Sequence, residues 1–187
     1  MDPWWPRSKG MTEAIAGRVR AVDRATDVES FSTLYQRTFP RVYGYVASLL
    51  RDRAAAEDVT SQAFERAYRK RRSYRPGRGT REQWLFGIAR NAALDELRKR
   101  KRRATLAAEP EDLASLSVEQ DVERALRRAA VRGALSALEP RERDLIALKF
   151  AGGLTNAEIA EMLGVSESNA GTKLHRAISK LRETCND

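Results

Sequence analysis

One histidine, His175, and one cysteine, Cys185, are all the imidazole and thiol chemistry in these 187 residues. A metal centre needs several such ligands at close spacing, and covalent catalysis needs a nucleophile held against a base. Neither constellation is present. Gly77-Arg78-Gly79 has no preceding strand and no lysine-serine phosphate cradle, so it is not a nucleotide fingerprint. We therefore expect no catalytic residues, no metal and no cofactor, and assign His175 to packing or phosphate contact. What the chain concentrates is guanidinium. Arg66 to Arg103 holds 15 Lys/Arg against Glu82, Asp95 and Glu96, a net +12, whereas the whole chain carries +9 with a pI of about 10.1. The rest therefore sums to −3. Cations interleaved with Tyr74 and Trp84 are suited to gripping phosphates and stacking bases. Nucleic acid is the expected partner, with an anionic membrane surface second.

Positioning such side chains is work for helices here. Phe31, Leu34, Tyr35, Thr38, Phe39, Val42, Tyr43, Val46, Leu49 and Leu50 recur at steps of three and four, the period of a helix burying one stripe. Pro40 interrupts the stripe, which predicts either two helices or one kinked helix. Val59, Ala63, Phe64, Ala67 and Tyr68 repeat the spacing, as do Trp84, Leu85, Ile88, Ala92 and Leu97, with RPGRGT (75–80) as a loop between them. After the basic run, residues 104–121 carry five acids, one proline and no Lys or Arg, which reads as a linker. Val118, Val122, Leu126 and Ala129 begin a further helix, and Leu145, Ile146 and Leu148 mark another.

The expected class is all-α: two small helical domains, 25–103 and 122–187, joined by a flexible acidic linker and preceded by an extension (1–24) disordered at its start. Met11 is an alternative translation start. No apolar run reaches the roughly 18 residues of a transmembrane span, and MDPWWPRSKG lacks a signal-peptide core. A lone cysteine excludes a disulfide framework within the chain, so a cytoplasmic protein without membrane insertion is expected.

LTNAEIAEMLGVSESNAGTKLHR (154–176) is the most informative stretch. Thr155-Asn156-Ala157-Glu158 has the pattern of a capping box, small Ala160 admits a close neighbour, Gly164 permits a turn with positive φ, and Ser166 can cap a second helix. A second helix after such a turn can enter the major groove, with Ser168, Asn169, Thr172, Lys173 and Arg176 facing bases or phosphates. Gly171 within it costs a helix about 1 kcal/mol relative to alanine, which reads as helix stability traded for proximity or specificity at the groove.

Taken together, these motifs resemble the extracytoplasmic-function (group IV) sigma factors of bacterial RNA polymerase, over about residues 28–184. FSTLYQRTFPRVYGYVASLLRDRAAAEDVTSQAFERAYR is similar to the family's polymerase-binding helices and WLFGIARNAALDELRKRKR to its helix that reads the minus-ten element. LEPRERDLIALKFAGGLTNAEIAEMLGVSESNAGTKLHRAISKLRE is similar to its minus-thirty-five domain. The resemblance implies sigma region 2 over 25–103 and region 4 over 122–187. It places Asp58, Gln62 and Arg66 against the clamp helices of the largest subunit of core RNA polymerase, with Val59 and Ala63 packing inward. It gives Tyr74, Arg75, Arg78 and Trp84 to capture of an unstacked promoter base, Trp84 also being a core candidate. Arg90, Asn91, Asp95 and Arg98, expected along one helix face about a turn apart, read the minus-ten element, Asp95 by touching DNA or by orienting an arginine, and the run 98–103 grips phosphates. Ser168, Asn169, Gly171, Thr172, Lys173 and Arg176 read the minus-thirty-five element.

The implied partners are core polymerase and promoter DNA, and many members are also held by an anti-sigma factor; a stable homo-oligomer is not expected. A free-standing helix-turn-helix regulator is the alternative, and it leaves the 56–68 helix and the aromatic-basic loop unassigned.

Overall fold

The computed structural model describes residues 31–106, 131 and 133–186; the N-terminal extension, most of the acidic segment and the helix start expected at 118–129 lie outside the described residues. The chain divides into two compact units, Met1–Phe39 and Pro40–Asp187. Helix α1 (Phe31–Leu50) runs through Pro40 as one element, so the choice the sequence left open falls to a single helix. Within the first unit the Thr38 hydroxyl donates to the Leu34 carbonyl at 2.6 Å, and the Tyr35 and Phe39 rings lie 5.1 Å apart.

In the second unit α1 ends at Leu50, where Arg51 takes a left-handed φ of 56°. Helix α2 (Arg53–Arg69) starts at once. Its N-cap is Asp52, whose carboxylate accepts from the Ala55 amide at 3.0 Å and pairs with Arg100 at 2.7 Å. One acid thus satisfies a helix start and ties it to α3 (Arg81–Leu106), which also packs along α2. Thr80 opens α3 by accepting from the Gln83 amide at 3.1 Å.

The core of this layer is Val42, Tyr45 and Val46 of α1, Val59, Ala63 and Phe64 of α2, and Leu85, Phe86, Ala89 and Ala93 of α3. Two readings of the stripes change. Tyr45, not Tyr43, is the fully buried ring, and it meets Phe86 edge-on at 5.9 Å. Trp84, Ile88 and Leu97 are only half-buried, while Phe86, Ala89 and Ala93, outside the expected stripe, are buried. Helix α3 is covered on more than one side, so a single stripe under-describes it.

The C-terminal layer contains α4 (Pro140–Ile146), which continues into a π-helical turn (Ala147–Ala151), then α5 (Asn156–Leu163) and α6 (Glu167–Asn186). Pro140 sits in the first turn of α4, where its missing amide hydrogen costs nothing. Both α4 and α5 pack on α6, whose Ala170, Leu174 and Ala177 are buried. The composition break near Ala104 separates the two layers in sequence, yet among the described residues both belong to the second unit. No described helix is long and apolar enough to cross a membrane, and no strand occurs among the described residues.

Asp52 is the testable joint. Hydrogen bonding by the Ala55 amide, then by Arg100, holds its carboxyl below the usual range. Its contribution is therefore complete above the unfolded carboxyl pKa of about 3.9 and is lost as pH falls through and below that value. Asp52→Ala should lower stability by about 1 kcal/mol in urea titrations at pH 7. Asp52→Asn should keep the cap and flatten the acid limb of stability against pH.

Candidate nucleic-acid interface

Three surfaces carry the residues singled out above. On α2, Asp58, Gln62 and Arg66 recur every fourth residue and are exposed, while Val59 and Ala63 between them are buried. This is one polar ridge on the outside of the layer. Its neighbour across the α2–α3 crevice is the Asp95 region of α3. Gln62 and Arg66 line the same groove, of about 250 Å³, as Asp95, Arg98, Lys99 and Arg102. The sequence had treated those as two separate sites; space joins them.

The loop before α3 is ordered by its own aromatic ring. The Tyr74 hydroxyl donates to the Gly79 carbonyl at 3.1 Å, the Tyr74 and Trp84 rings lie 5.9 Å apart, and the Arg81 guanidinium stands 5.4 Å over the Tyr74 ring. Arg75 and Arg78 are exposed beside this stack, and Trp84 is half-buried. Gly79 has φ 98°, and a Cβ there would fall 2.2 Å from Gln83 Oε1. Only glycine lets the loop close on α3.

Arg90, Asn91, Asp95 and Arg98 do not share one face of α3. At about 100° per residue, the last three fall within about 60° of one another and Arg90 lies about 80–140° away. Asn91 is exposed and Asp95 pairs with Arg98 at 2.8 Å. Arg90 turns the other way, and its Nε donates to Asp144 of α4 at 2.8 Å. The basic run behaves unevenly as well. It stays helical to Leu106, and Arg100 folds back onto Asp52 and Glu96, leaving Lys99, Arg102 and Arg103 exposed for phosphate contact.

The third surface is the helix-turn-helix. The capping box is complete: the Glu158 amide donates to Thr155 Oγ1 at 3.2 Å and the Thr155 amide to Glu158 Oε2 at 2.9 Å. Gly164 closes α5 in the left-handed region, φ 66° and ψ 37°. Ser166 caps α6 by accepting from the Asn169 amide at 3.2 Å. Ser168, Asn169, Thr172, Lys173 and Arg176 are all exposed, as is His175. Thr172 spends its hydroxyl hydrogen on the Ser168 carbonyl at 3.0 Å, so it offers a partner its lone pairs and methyl. Gly171 is half-buried, and a Cβ there would meet Asn156 Nδ2 of α5 at 3.6 Å. That is an ordinary contact distance, so the packing against α5 does not itself require glycine there. No group of three or more potential metal ligands occurs among the described residues.

Four polar residues that the sequence did not single out are Arg41, Tyr45, Gln83 and Asp144. Gln83 and Asp144 are buried polar side chains, each paired across the two layers. Tyr45 had a signal, since it falls at helical spacing from Val42 and Leu49. Asp144 had none, because nothing in RERDLI names the distant residues that satisfy it.

Two family models match the chain: Sigma-70 region 2 over residues 34–103 and Sigma-70, region 4 over residues 128–181. The RNA polymerase sigma factor CarQ of Myxococcus xanthus is 37% identical over 158 residues, covering 83% of this chain and 88% of CarQ. The ECF RNA polymerase sigma factor SigK of Mycolicibacterium vanbaalenii is 30% identical over 161 residues, covering 84% and 82%. Among solved structures, the sigma factor RpoE, crystallised with the anti-sigma factor NepR from Bartonella quintana, superposes with a TM-score of 0.72 at 24% identity, covering 85% of this chain and 98% of RpoE. At that identity the likeness is one of fold.

Gly79→Ala should destabilise the protein by about 1–3 kcal/mol, because φ is left-handed and the methyl collides with Gln83. Gly77→Ala, with open space around it, should stay within about 0.5 kcal/mol of the parent. Urea titrations of both variants check the pair.

Proposed function

The chain belongs to the extracytoplasmic-function sigma factors of bacterial RNA polymerase, transcription initiation factors without catalytic activity of their own, and from that premise we propose how its surfaces divide the work. The α2 ridge of Asp58, Gln62 and Arg66 docks on the clamp helices of core polymerase. The Tyr74–Trp84 loop takes an unstacked base of the minus-ten element. Extracting a base costs a few kcal/mol, and stacking on an aromatic ring returns about 1–3 kcal/mol, with Arg75 and Arg78 holding the strand.

Asn91 contacts minus-ten bases, Asp95 orients Arg98, and Lys99, Arg102 and Arg103 hold phosphates; Arg90, paired with Asp144, joins them only by leaving that carboxylate. Ser168, Asn169, Gly171, Thr172, Lys173 and Arg176 meet the minus-thirty-five element in the major groove. These partners put the chain in the cytoplasm. RpoE is crystallised with an anti-sigma factor, and a protein of that kind is a partner to seek here.

The observation that carries the reading is the coexistence in one chain of a correctly capped helix-turn-helix and a basic helix with an ordered aromatic loop at its start. The first alone would make a DNA-binding protein; the second supplies groups for opening DNA. Run-off transcription tests this, with the protein added to sigma-free core polymerase on fragmented genomic DNA and opening followed by permanganate. Specific starts with reactive thymines upstream are expected. DNA binding without core polymerase and without an opened complex would instead indicate a conventional regulator.

On the promoters so found, Trp84→Ala should reduce opening by about five- to a hundredfold while leaving duplex binding within about threefold, since one base stack of about 1–3 kcal/mol is lost. Gly171→Lys should alter the preferred minus-thirty-five bases while changing stability by less than about 1 kcal/mol, since the added Cβ makes an ordinary contact with Asn156. Transcription from a randomised minus-thirty-five library, read beside a thermal melt, separates the two effects.

A further inference from the structure

The groove between α2 and α3 holds more positive charge than its own acids can neutralise. Val59, Gln62 and Arg66 stand three and four residues apart on α2, and Ala92, Asp95 and Lys99 do the same on α3, so the two helices line it with facing stripes. Val59 and Ala92, 4% and 7% exposed, supply its apolar part. Both acids of the lining are committed: Asp95 pairs with Arg98 at 2.8 Å, and Glu96 with Arg100 at 3.4 Å. Arg66, Lys99 and Arg102, which also line the groove, have no ion-pair partner among the described residues. Three uncompensated cations from two helices thus border one recess, and low-dielectric walls focus such a field on an anion.

Size and surface select which anion. At about 250 Å³ the recess lies just below the range of about 300–1,000 Å³ of small-molecule pockets, and a duplex cannot enter it. An inorganic anion would meet the cations and leave Val59 and Ala92 uncovered. A molecule carrying both a phosphate chain and a flat ring satisfies both parts, and Gln62 adds an amide that donates and accepts, as recognition of a base edge requires. We propose that this groove binds a nucleoside polyphosphate, with its phosphates toward Arg66, Lys99 and Arg102 and its base over Val59 and Ala92. Since Gln62 and Arg66 also belong to the polymerase-docking ridge, the occupant competes with core polymerase for α2. That competition rests on the sigma-factor reading above; the site itself does not.

Nitrogen-15 spectra of the full-length chain, titrated with GTP and with ATP, test the site. Saturable shifts are expected at the amides of residues 59–66 and 92–102, with one molecule bound per chain. Inorganic pyrophosphate, the probe for phosphate alone, should bind several-fold more weakly. A tetrathymidine strand, the probe for nucleic-acid phosphates, should shift residues 74–84 instead. Arg66→Gln and Lys99→Gln, both at exposed positions, should each weaken nucleotide binding about tenfold or more, as loss of a charge-assisted hydrogen bond requires. Arg72→Gln, exposed in the same basic segment but outside the groove, should leave binding within about twofold, because salt screens exposed charges at a distance. Equal losses from Arg66→Gln and Arg72→Gln, shifts spread over the whole basic segment, pyrophosphate binding as tight as that of the nucleotides, or no saturation at millimolar nucleotide each overturn the proposal.

Competition is read separately, from binding of labelled core polymerase without DNA. The tighter nucleotide, at ten times its own dissociation constant, should raise the apparent Kd for core about elevenfold, and Lys99→Gln should shrink that shift. No shift in a chain that binds nucleotide overturns the competition while the site stands. A chain that binds nucleotide in the groove and never binds core polymerase refutes the sigma-factor reading instead.

Discussion

A carboxylate buried to 4% exposure sets the terms for this protein. An ionised acid taken from water without partners costs several kcal/mol, so Asp144 can sit where it does only if both oxygens are satisfied. Tyr45 and Arg90 do this, and both belong to the other layer. Helix α4 and the π turn that continues it therefore pack with five consecutive residues buried, Asp144 to Leu148, which no helix covered on one side could achieve. The π turn that follows bonds the Gly152 amide to the Ala147 carbonyl and leaves the Gly152 carbonyl for Arg41.

Helix α3 bears most of the consequences because its sides do different things. Leu85, Ala89 and Ala93 hold the core, Gln83 and Arg90 meet the C-terminal layer, and Asn91, Asp95 and Arg98 face outward. With about 100° between successive residues, neighbours in sequence such as Arg90 and Asn91 fall on different surfaces. A motif read as one contact set along the chain is divided by the helix into two. The groove shared by Arg66 and Arg98 shows the converse, joining residues that the sequence had kept apart.

Local rules made much of the fold legible. The capping box at Thr155, the left-handed turn at Gly164, the serine cap at Ser166 and the loop at 75–80 are short-range chemistry, and each forms as the residue types dictate. Helical periodicity placed Val46, Phe64 and Leu85 in the core. What could not be read depends on residues about 100 positions apart. Tyr45 meets Asp144 across 99 residues and Arg41 meets Gly152 across 111, and no local pattern in either segment names its partner. The Phe86 side of α3 was missed for the same reason: a stripe predicts one buried face, and the second is created by tertiary packing.

The two kinds of contact also differ in how readily they are undone. Within the N-terminal layer, burying Phe64, Leu85 or Val46 contributes about 1.5–3 kcal/mol each, and reversing it exposes apolar surface to water. Between the layers the visible links are chiefly hydrogen bonds and ion pairs, each worth only about 0.5–3 kcal/mol net because water can replace the partner. Asp144, Arg90, Gln83 and Glu161 would all be well solvated if the layers parted. The Phe86 ring, fully buried and close against Gly152, adds apolar burial to those polar links, so parting the layers would also expose carbon to water.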